Sequence, residues 1–311
     1  MKLAGCNEVT ALFLSMSKSG LSKKIITRAG DLLFLGLYRS ILRSSPESMM
    51  KRAGTLARLY YLLDRRRIRT ARRNLALAFG DSLDSRERES IIRESIENFL
   101  YEAQMFFWVG EKGSGAIDVE VRGEEYLKEA AARGRGVIVL TAHFGNWEFL
   151  GRTINDIGCK LTVIARNSDG AEISSVTARI RRSGGYKVLD RNAPLTETIR
   201  VLRRGEVLGI LPDQHFYGGI NSMFFGAPAL TSVGTAAFSL KTGAPIVPGF
   251  CIRTGPDTYA VEFYPPLEFA PTGDEDADRQ QYTQMVNDAI EAEIRRYPAG
   301  WLWIHDRWKQ D

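Results

Sequence analysis

From about residue 117 onward, short apolar runs alternate with longer amphipathic segments. Val119-Glu120-Val121 reads as a short strand, and Glu124 to Ala132 as a helix closed by Gly134. Four apolar runs then follow in order, Val137–Leu140, Leu161–Ile164, Tyr186–Leu189 and Val207–Leu211. Helical patterns over 147–156, 171–182 and 195–204 separate them. Ile246–Ile252 and Tyr259–Tyr264 predict two more strands, an antiparallel pair joined through Gly255-Pro256-Asp257. A helix over 277–296 precedes an aromatic tail, Trp301 to Lys309. Strands alternating with helices predict an α/β fold, a mainly parallel mixed sheet flanked by helices.

The first third has a different period. Residues 25–110 read as almost entirely helical. Pro46, after Ser44-Ser45, suits the first turn of one helix, and Asp84 or Ser85 suits the cap of the next. The glycine-rich break from Gly110 to Gly115 suggests an amino-terminal helical region over 1–115 and a catalytic α/β domain over 116–311. No run of 18 apolar residues is present, so no membrane span is predicted. Ala11 to Leu14 is a short apolar run, and Leu32 to Tyr38 a longer one flanked by Lys23, Lys24, Arg28, Arg39 and Arg43. The longer run fits a helix lying in a membrane interface, or equally a core helix.

Charge sharpens that division. The chain carries +5 overall, but residues 1–110 hold 19 basic and 11 acidic side chains while the remainder is net acidic. The peak is Arg65-Arg66-Arg67-Ile68-Arg69 with Arg72 and Arg73. Such density suits a polyanionic surface, nucleic acid or anionic lipid headgroups. Three scattered cysteines, Cys6, Cys159 and Cys251, form neither a disulfide framework nor a metal knuckle and favour a reducing compartment. Leu3-Ala4-Gly5-Cys6 lacks the apolar run that a lipoprotein leader requires. No G-x-S-x-G elbow, Walker loop or G-x-G-x-x-G follows a strand, and three isolated histidines argue against a zinc site.

Chemistry in open α/β sheets gathers beyond the carboxyl ends of the strands. There the chain places His143, Arg166, Arg191 and Asp213, with Arg253 ending the later strand. If the strands are parallel neighbours, these polar ends share a rim, an anion site beside a proton acceptor. His143 and Glu148 flank the turn Phe144-Gly145-Asn146-Trp147. A sharp turn would return the carboxylate to one imidazole nitrogen and leave the other to accept a proton. The N–H groups of the opening helix turn would meet an oxyanion or phosphate. The competing reading of His143 is a satisfied buried histidine at a strand end. His215 reads as a loop residue, His305 as packing in the tail, and Arg179, Arg181 and Arg182 as a solvated helix face.

The block Thr141-Ala142-His143-Phe144-Gly145-Asn146-Trp147-Glu148 resembles the H-x₄-[D/E] motif of glycerolipid and lysophospholipid acyltransferases. A closer resemblance is to the lauroyl/myristoyl transferases of lipid A biosynthesis, and it covers about residues 31–309. It extends through Arg66 to Gly80, Lys187 to Arg191, Leu211-Pro212-Asp213-Gln214, Phe224-Phe225-Gly226 with Thr231, and the tail Trp301 to Lys309. The resemblance implies His143 as general base held by Glu148. It implies Arg166 and Arg191 as phosphate-binding residues, Asp213 and Gln214 as substrate-positioning residues, and Phe224 and Phe225 as the acyl channel. It also implies no metal, cofactor or covalent acyl-enzyme.

The expected function is transfer of a fatty acyl chain from acyl carrier protein or acyl-CoA to a hydroxyl of an anionic membrane glycolipid. A lipid A precursor is the preferred acceptor, at the cytoplasmic face of a bacterial inner membrane, with lipid rather than nucleic acid as the polyanion. A lysophospholipid or another glycolipid is the alternative acceptor. Rivals of another class are a thioesterase or lipid hydrolase, and a non-catalytic protein binding anionic membrane through residues 39–73.

Overall fold

A computed structural model describes residues 20–165 and 171–309. Arg166, Cys6 and the apolar run at Ala11 to Leu14 lie outside them. Four helices come first: α1 (Gly20–Leu42), α2 (Pro46–Leu63), α3 (Arg65–Phe79) and α4 (Ser85–Lys112). Their starts obey the cap chemistry read from the sequence. Ser45 accepts a hydrogen bond from the Ser48 N–H with Pro46 in the first turn. Asp84 and Glu87 cap α4 reciprocally, each carboxylate taking the other's backbone N–H.

The α/β part follows: β1 (Asp118–Arg122), α5 (Glu124–Ala132), β2 (Val137–Leu140), α6 (Trp147–Asp156), β3 (Leu161–Ala165), α7 (Ala171–Ser183), β4 (Lys187–Asp190), α8 (Leu195–Arg203) and β5 (Val207–Ile210). Then come β6 (Ile220–Phe224), β7 (Ala227–Thr231), α9 (Gly234–Thr242), β8 (Ile246–Arg253), β9 (Thr258–Phe263) and α10 (Glu275–Arg296). Seven strands make one mixed sheet in the order β1-β9-β8-β2-β5-β3-β4. Strands β8, β2, β5, β3 and β4 are mutually parallel, so their carboxyl ends share one edge. The β8–β9 pair is antiparallel, as its short connection predicts, and β1 joins β9 in parallel.

The central strand β2 shows why the sheet holds. All four of its residues are buried, as expected for a strand covered on both faces. Side chains alternate across a strand, and the two cores divide accordingly. Ile138 and Leu140 enter one core with Leu208, Ile246, α3, α10 and the tail. Val137 and Val139 enter the other with Val247, α6 and the early part of α2. Truncating Ile138 to alanine would cost about 2–5 kcal/mol. Helix α4 crosses between the cores, placing Ile92 and Ile96 in the first and Tyr101, Met105 and Val109 in the second. Residues on both sides of position 115 therefore share both cores.

Two elements escape the periodicity reading. Helix α9 is one. The other is the β6–β7 hairpin, whose turn is Phe225-Gly226, both at positive φ (53° and 71°). Left-handed backbone at both turn positions matches the twist of a two-residue hairpin. A phenylalanine is an unusual occupant, and packing explains it. Its ring meets Phe79 and Trp303, with the Arg295 guanidinium 4.6 Å from the ring centre.

Candidate active site

Strand β2 delivers His143 to the carboxyl edge, and the turn beyond it is stitched down on two sides. The Gly145 N–H donates to Gly300 O and the Asn146 N–H to Cys251 O, at 2.9 and 3.0 Å. Gly145 has φ +51°, and a Cβ there would sit 1.9 Å from Cys251 O, so only glycine fits. Asn146 then caps α6, its Oδ1 accepting from the Phe149 N–H. These bonds consume N–H groups that the sequence reading offered to an oxyanion.

The imidazole meets a carboxylate, but not the expected one. Strand β5 lies beside β2 and delivers Asp213 to the same edge. His143 Nδ1 lies 2.9 Å from Asp213 Oδ1, and the His143 backbone N–H donates to Asp213 Oδ2 at 3.0 Å. The Trp301 indole N–H donates to the same Oδ2 at 2.8 Å. Both partners of the pair are buried. Burial by itself would raise the Asp213 carboxyl, but the neighbouring imidazole charge and the bonds from His143 and Trp301 outweigh it and bring it to about 2.

The pairing of His143 with Glu148 is therefore corrected. Glu148 lies in the first turn of α6, where the helix turns its carboxylate toward α7 and β4. It accepts both from the Arg181 guanidinium, with Nε 3.2 Å from each oxygen, and from the Tyr186 hydroxyl. Burial opposes its ionisation, yet Arg181 and Tyr186 hold its carboxyl below the usual range. Arg181, expected on a solvated face, is mostly buried against it.

The remaining expected residues divide. Arg191 follows β4, two strands out from β5, and its backbone N–H donates to Ala165 O. Gln214 follows Asp213 and is half-buried. The next residue, His215, is buried, and its N–H donates to His305 Nε2 at 3.1 Å. Phe224 and Phe225 pack into the aromatic core. Trp308 donates to Phe224 O, and the fully buried Arg307 lies over the Phe224 ring while bonding Leu230 O and Thr231 Oγ1.

A cavity of about 330 Å³ opens beside His143, and Phe224 and Phe225 are not among its lining residues. Its apolar wall is Phe99, Phe144, Trp147, Ile252 and Leu302, and its polar wall includes Asn98, Glu102 and Arg253. The sequence reading placed Arg253 at a strand end but missed Trp301 as a donor to Asp213 and Glu102 as part of the site. An acid following Tyr101 on the apolar face of α4 was the one available signal for Glu102.

A buried histidine–carboxylate pair facing a mixed apolar and cationic cavity suits proton abstraction from a hydroxyl in acyl transfer, and the comparisons agree: the protein is an acyltransferase. The profile described as bacterial lipid A biosynthesis acyltransferase matches residues 20–310, so the chain belongs to that family. The lipid A biosynthesis palmitoleoyltransferase of Escherichia coli K12 is 31% identical over 267 residues, covering 83% of each chain. The lauroyltransferase of the same organism is 29% identical, covering 82% of this chain and 83% of its own. A phosphatidylinositol mannoside acyltransferase of Mycobacterium tuberculosis is 26% identical over 200 residues, 63% of this chain and 61% of its own.

Proposed function

We propose that the protein transfers a fatty acyl group from a thioester to a hydroxyl of a membrane glycolipid, most specifically a lipid A precursor. The observation that carries this is the 2.9 Å contact between His143 and Asp213 at the mouth of the cavity. The carboxylate holds the proton on Nδ1 and makes Nε2 the basic nitrogen. Nε2 takes the hydroxyl proton as the acceptor oxygen attacks the thioester carbonyl. The C–S bond then breaks, and the thiolate leaves with the proton returned by the imidazolium. Asp213 stays ionised throughout and stabilises that imidazolium. Glu148 acts on this reading as a positioning residue, bracing α6 against α7 and β4. Arg166 and Arg191 are proposed to bind substrate phosphate and Gln214 to orient the acceptor, with Phe224 and Phe225 forming the floor behind the acyl pocket.

The acceptor assignment is supported by the names of the relatives, which refer to lipid A biosynthesis and to phosphatidylinositol mannoside. Acyl carrier protein and acyl-CoA are both cytosolic thioesters, and use of either as donor supports the cytoplasmic face of the inner membrane as the place of reaction. Among the described residues no helix is long and apolar enough to cross a membrane. Leu32 and Leu33 on α1 and Leu59, Leu62 and Leu63 on α2 are exposed, and Arg65 and Arg66 follow the second group directly. Exposed leucines beside cations suit contact with an anionic bilayer. Incubation with labelled acyl carrier protein or acyl-CoA and candidate glycolipids, read by mass spectrometry, tests the whole reading. An esterified glycolipid is expected. Free fatty acid alone would make the protein a thioesterase.

A further inference from the structure

The cavity beside His143 contains a cation whose orientation is fixed from three directions. Arg253 ends β8, the parallel neighbour of β2, so its side chain starts from the same edge as His143. One face of α4 receives it. Nε donates to Glu102 Oε1 at 3.1 Å and Nη2 to Asn98 Oδ1 at 2.6 Å, and the guanidinium carbon lies 4.9 Å from the Tyr101 ring centre. Positions 98, 101 and 102 share a helix face, which is why all three reach one group. Among the described residues Nη1 makes no hydrogen bond to the protein, and the side chain is about a quarter exposed where it lines the cavity.

Glu102 ties this cation to the catalytic turn. It is buried, and its other oxygen accepts from Asn146 Nδ2 at 2.7 Å and from the Tyr259 hydroxyl at 2.9 Å. Asn146 is the residue that caps α6 immediately after the His143 turn. One carboxylate thus sets the positions of Arg253 and His143 relative to each other. An ion pair serving packing alone is best when every donor is matched. Here the outer end of the fork is left over, and it faces a cavity in which Gly145 and Asn146 have already spent their N–H groups. Arg296 also lines the cavity, but Glu262 and Glu293 occupy its guanidinium. A planar guanidinium with a spare edge matches the oxygens of a phosphate.

We propose that Arg253 binds a phosphate oxyanion of a substrate in the His143 cavity, with Glu102 and Asn98 as its positioning residues. This rests on the acyl-transfer reading of His143. The phosphate belongs either to the acceptor lipid or to the phosphopantetheine arm of the donor.

Steady-state kinetics with matched substrates separate these sources. One pair is a phosphorylated glycolipid and its dephosphorylated form. The other is acyl-phosphopantetheine and the acyl-pantetheine lacking phosphate. In the native enzyme, kcat/KM is expected to favour the phosphorylated member of one pair. Arg253→Ala should cut that preference by about 10- to 100-fold, through KM rather than kcat. Arg253→Lys, which keeps the charge but loses the fork, should restore part of it, and Glu102→Gln should give an intermediate loss. Collapse of the preference in the acceptor pair assigns the phosphate to the lipid, and in the donor pair to the carrier. A preference unchanged in both Arg253 variants of an enzyme that still transfers acyl groups overturns the proposal and leaves the acyl-transfer reading standing. Absence of transfer by the native enzyme with every substrate would instead overturn that reading, and this proposal with it. Thermal unfolding of each variant checks the fold, and Arg253→Lys carries the test if the alanine variant unfolds.

Discussion

Two carboxylates near the start of α6 do opposite work, Asp213 fully buried and Glu148 largely so. Asp213 sits at the end of β5 and orients an imidazole, with a backbone N–H and an indole N–H completing its shell. Glu148 sits in the first turn of α6, facing α7 and β4, where Arg181 and Tyr186 donate to its oxygens. Both carboxyls lie below their usual pKa range despite burial, so acidity alone does not tell them apart. The difference lies in the partner. A carboxylate bonded to imidazole sets a tautomer and stabilises a transient cation, whereas one bonded to guanidinium and phenol neutralises a permanent charge and locks two helices. Proximity in sequence favoured Glu148, and adjacency of parallel strands favoured Asp213.

Mutation breaks this comparison most sharply at the imidazole. His143→Ala should lower kcat/KM by at least about 10³-fold and should also unfold more easily, because the buried Asp213 loses its imidazole partner, and retention of normal transfer would remove the base from the mechanism. Asp213→Asn should follow at about 10²- to 10⁴-fold, because an amide neither fixes the tautomer nor supports the imidazolium. Glu148→Gln, measured beside it, should lose no more than about tenfold in rate and should instead unfold more easily, by about 1–3 kcal/mol, because Arg181 keeps a charge with no counterion. If Glu148→Gln proves the more damaging to catalysis, the two roles are reversed.

The pH dependence separates the same two groups from the solvent side. The Asp213 pKa is depressed in the folded protein to about 2. The stability it contributes is therefore complete above the unfolded value of about 3.9 and is lost as pH falls from there toward 2. Native protein should destabilise over that interval more steeply than Asp213→Asn, as followed by denaturant unfolding. Above pH 4 Asp213 stays ionised, so a fall in kcat/KM on acidification toward pH 5 would not come from this carboxyl.

A smaller effect is expected on the basic helix α3, which also divides. Arg67 donates to Ile304 O, Arg73 pairs with Asp306, Arg72 pairs with Glu89, and Asn74 Nδ2 donates to Trp303 O and His305 O. These residues hold the carboxyl-terminal tail and α4. Arg72 and Arg73 are exposed but paired, whereas Arg65, Arg66 and Arg69 are exposed and form no ion pair among the described residues. Neutralising Arg65, Arg66 and Arg69 should weaken binding to anionic vesicles by about 1 kcal/mol each and flatten its salt dependence, with activity on detergent-solubilised acceptor maintained. Asn74→Ala should do the reverse, costing about 1–3 kcal/mol of stability with vesicle binding unchanged. Co-sedimentation at two salt concentrations distinguishes them.

Local pattern along the chain specified most of the elements, though not α9 or the β6–β7 hairpin. Alternating apolar runs and amphipathic stretches placed β2, α5 and α6 at their observed bounds, because burial on both faces demands continuous apolar residues and burial on one demands a helical stripe. Cap residues at Ser45 and Asp84 fixed helix starts through local hydrogen bonds, and the order of motifs identified the family. Only the tertiary structure decided partnership. Asp213 reaches His143 from 70 residues away, Trp301 reaches Asp213 from 88, Glu102 reaches Arg253 from 151, and the basic run at 65–73 splits into arginines bonded to other elements and exposed ones without an ion pair among the described residues. Local pattern records which face of an element is buried; strand order and the path of the tail settle what lies against it.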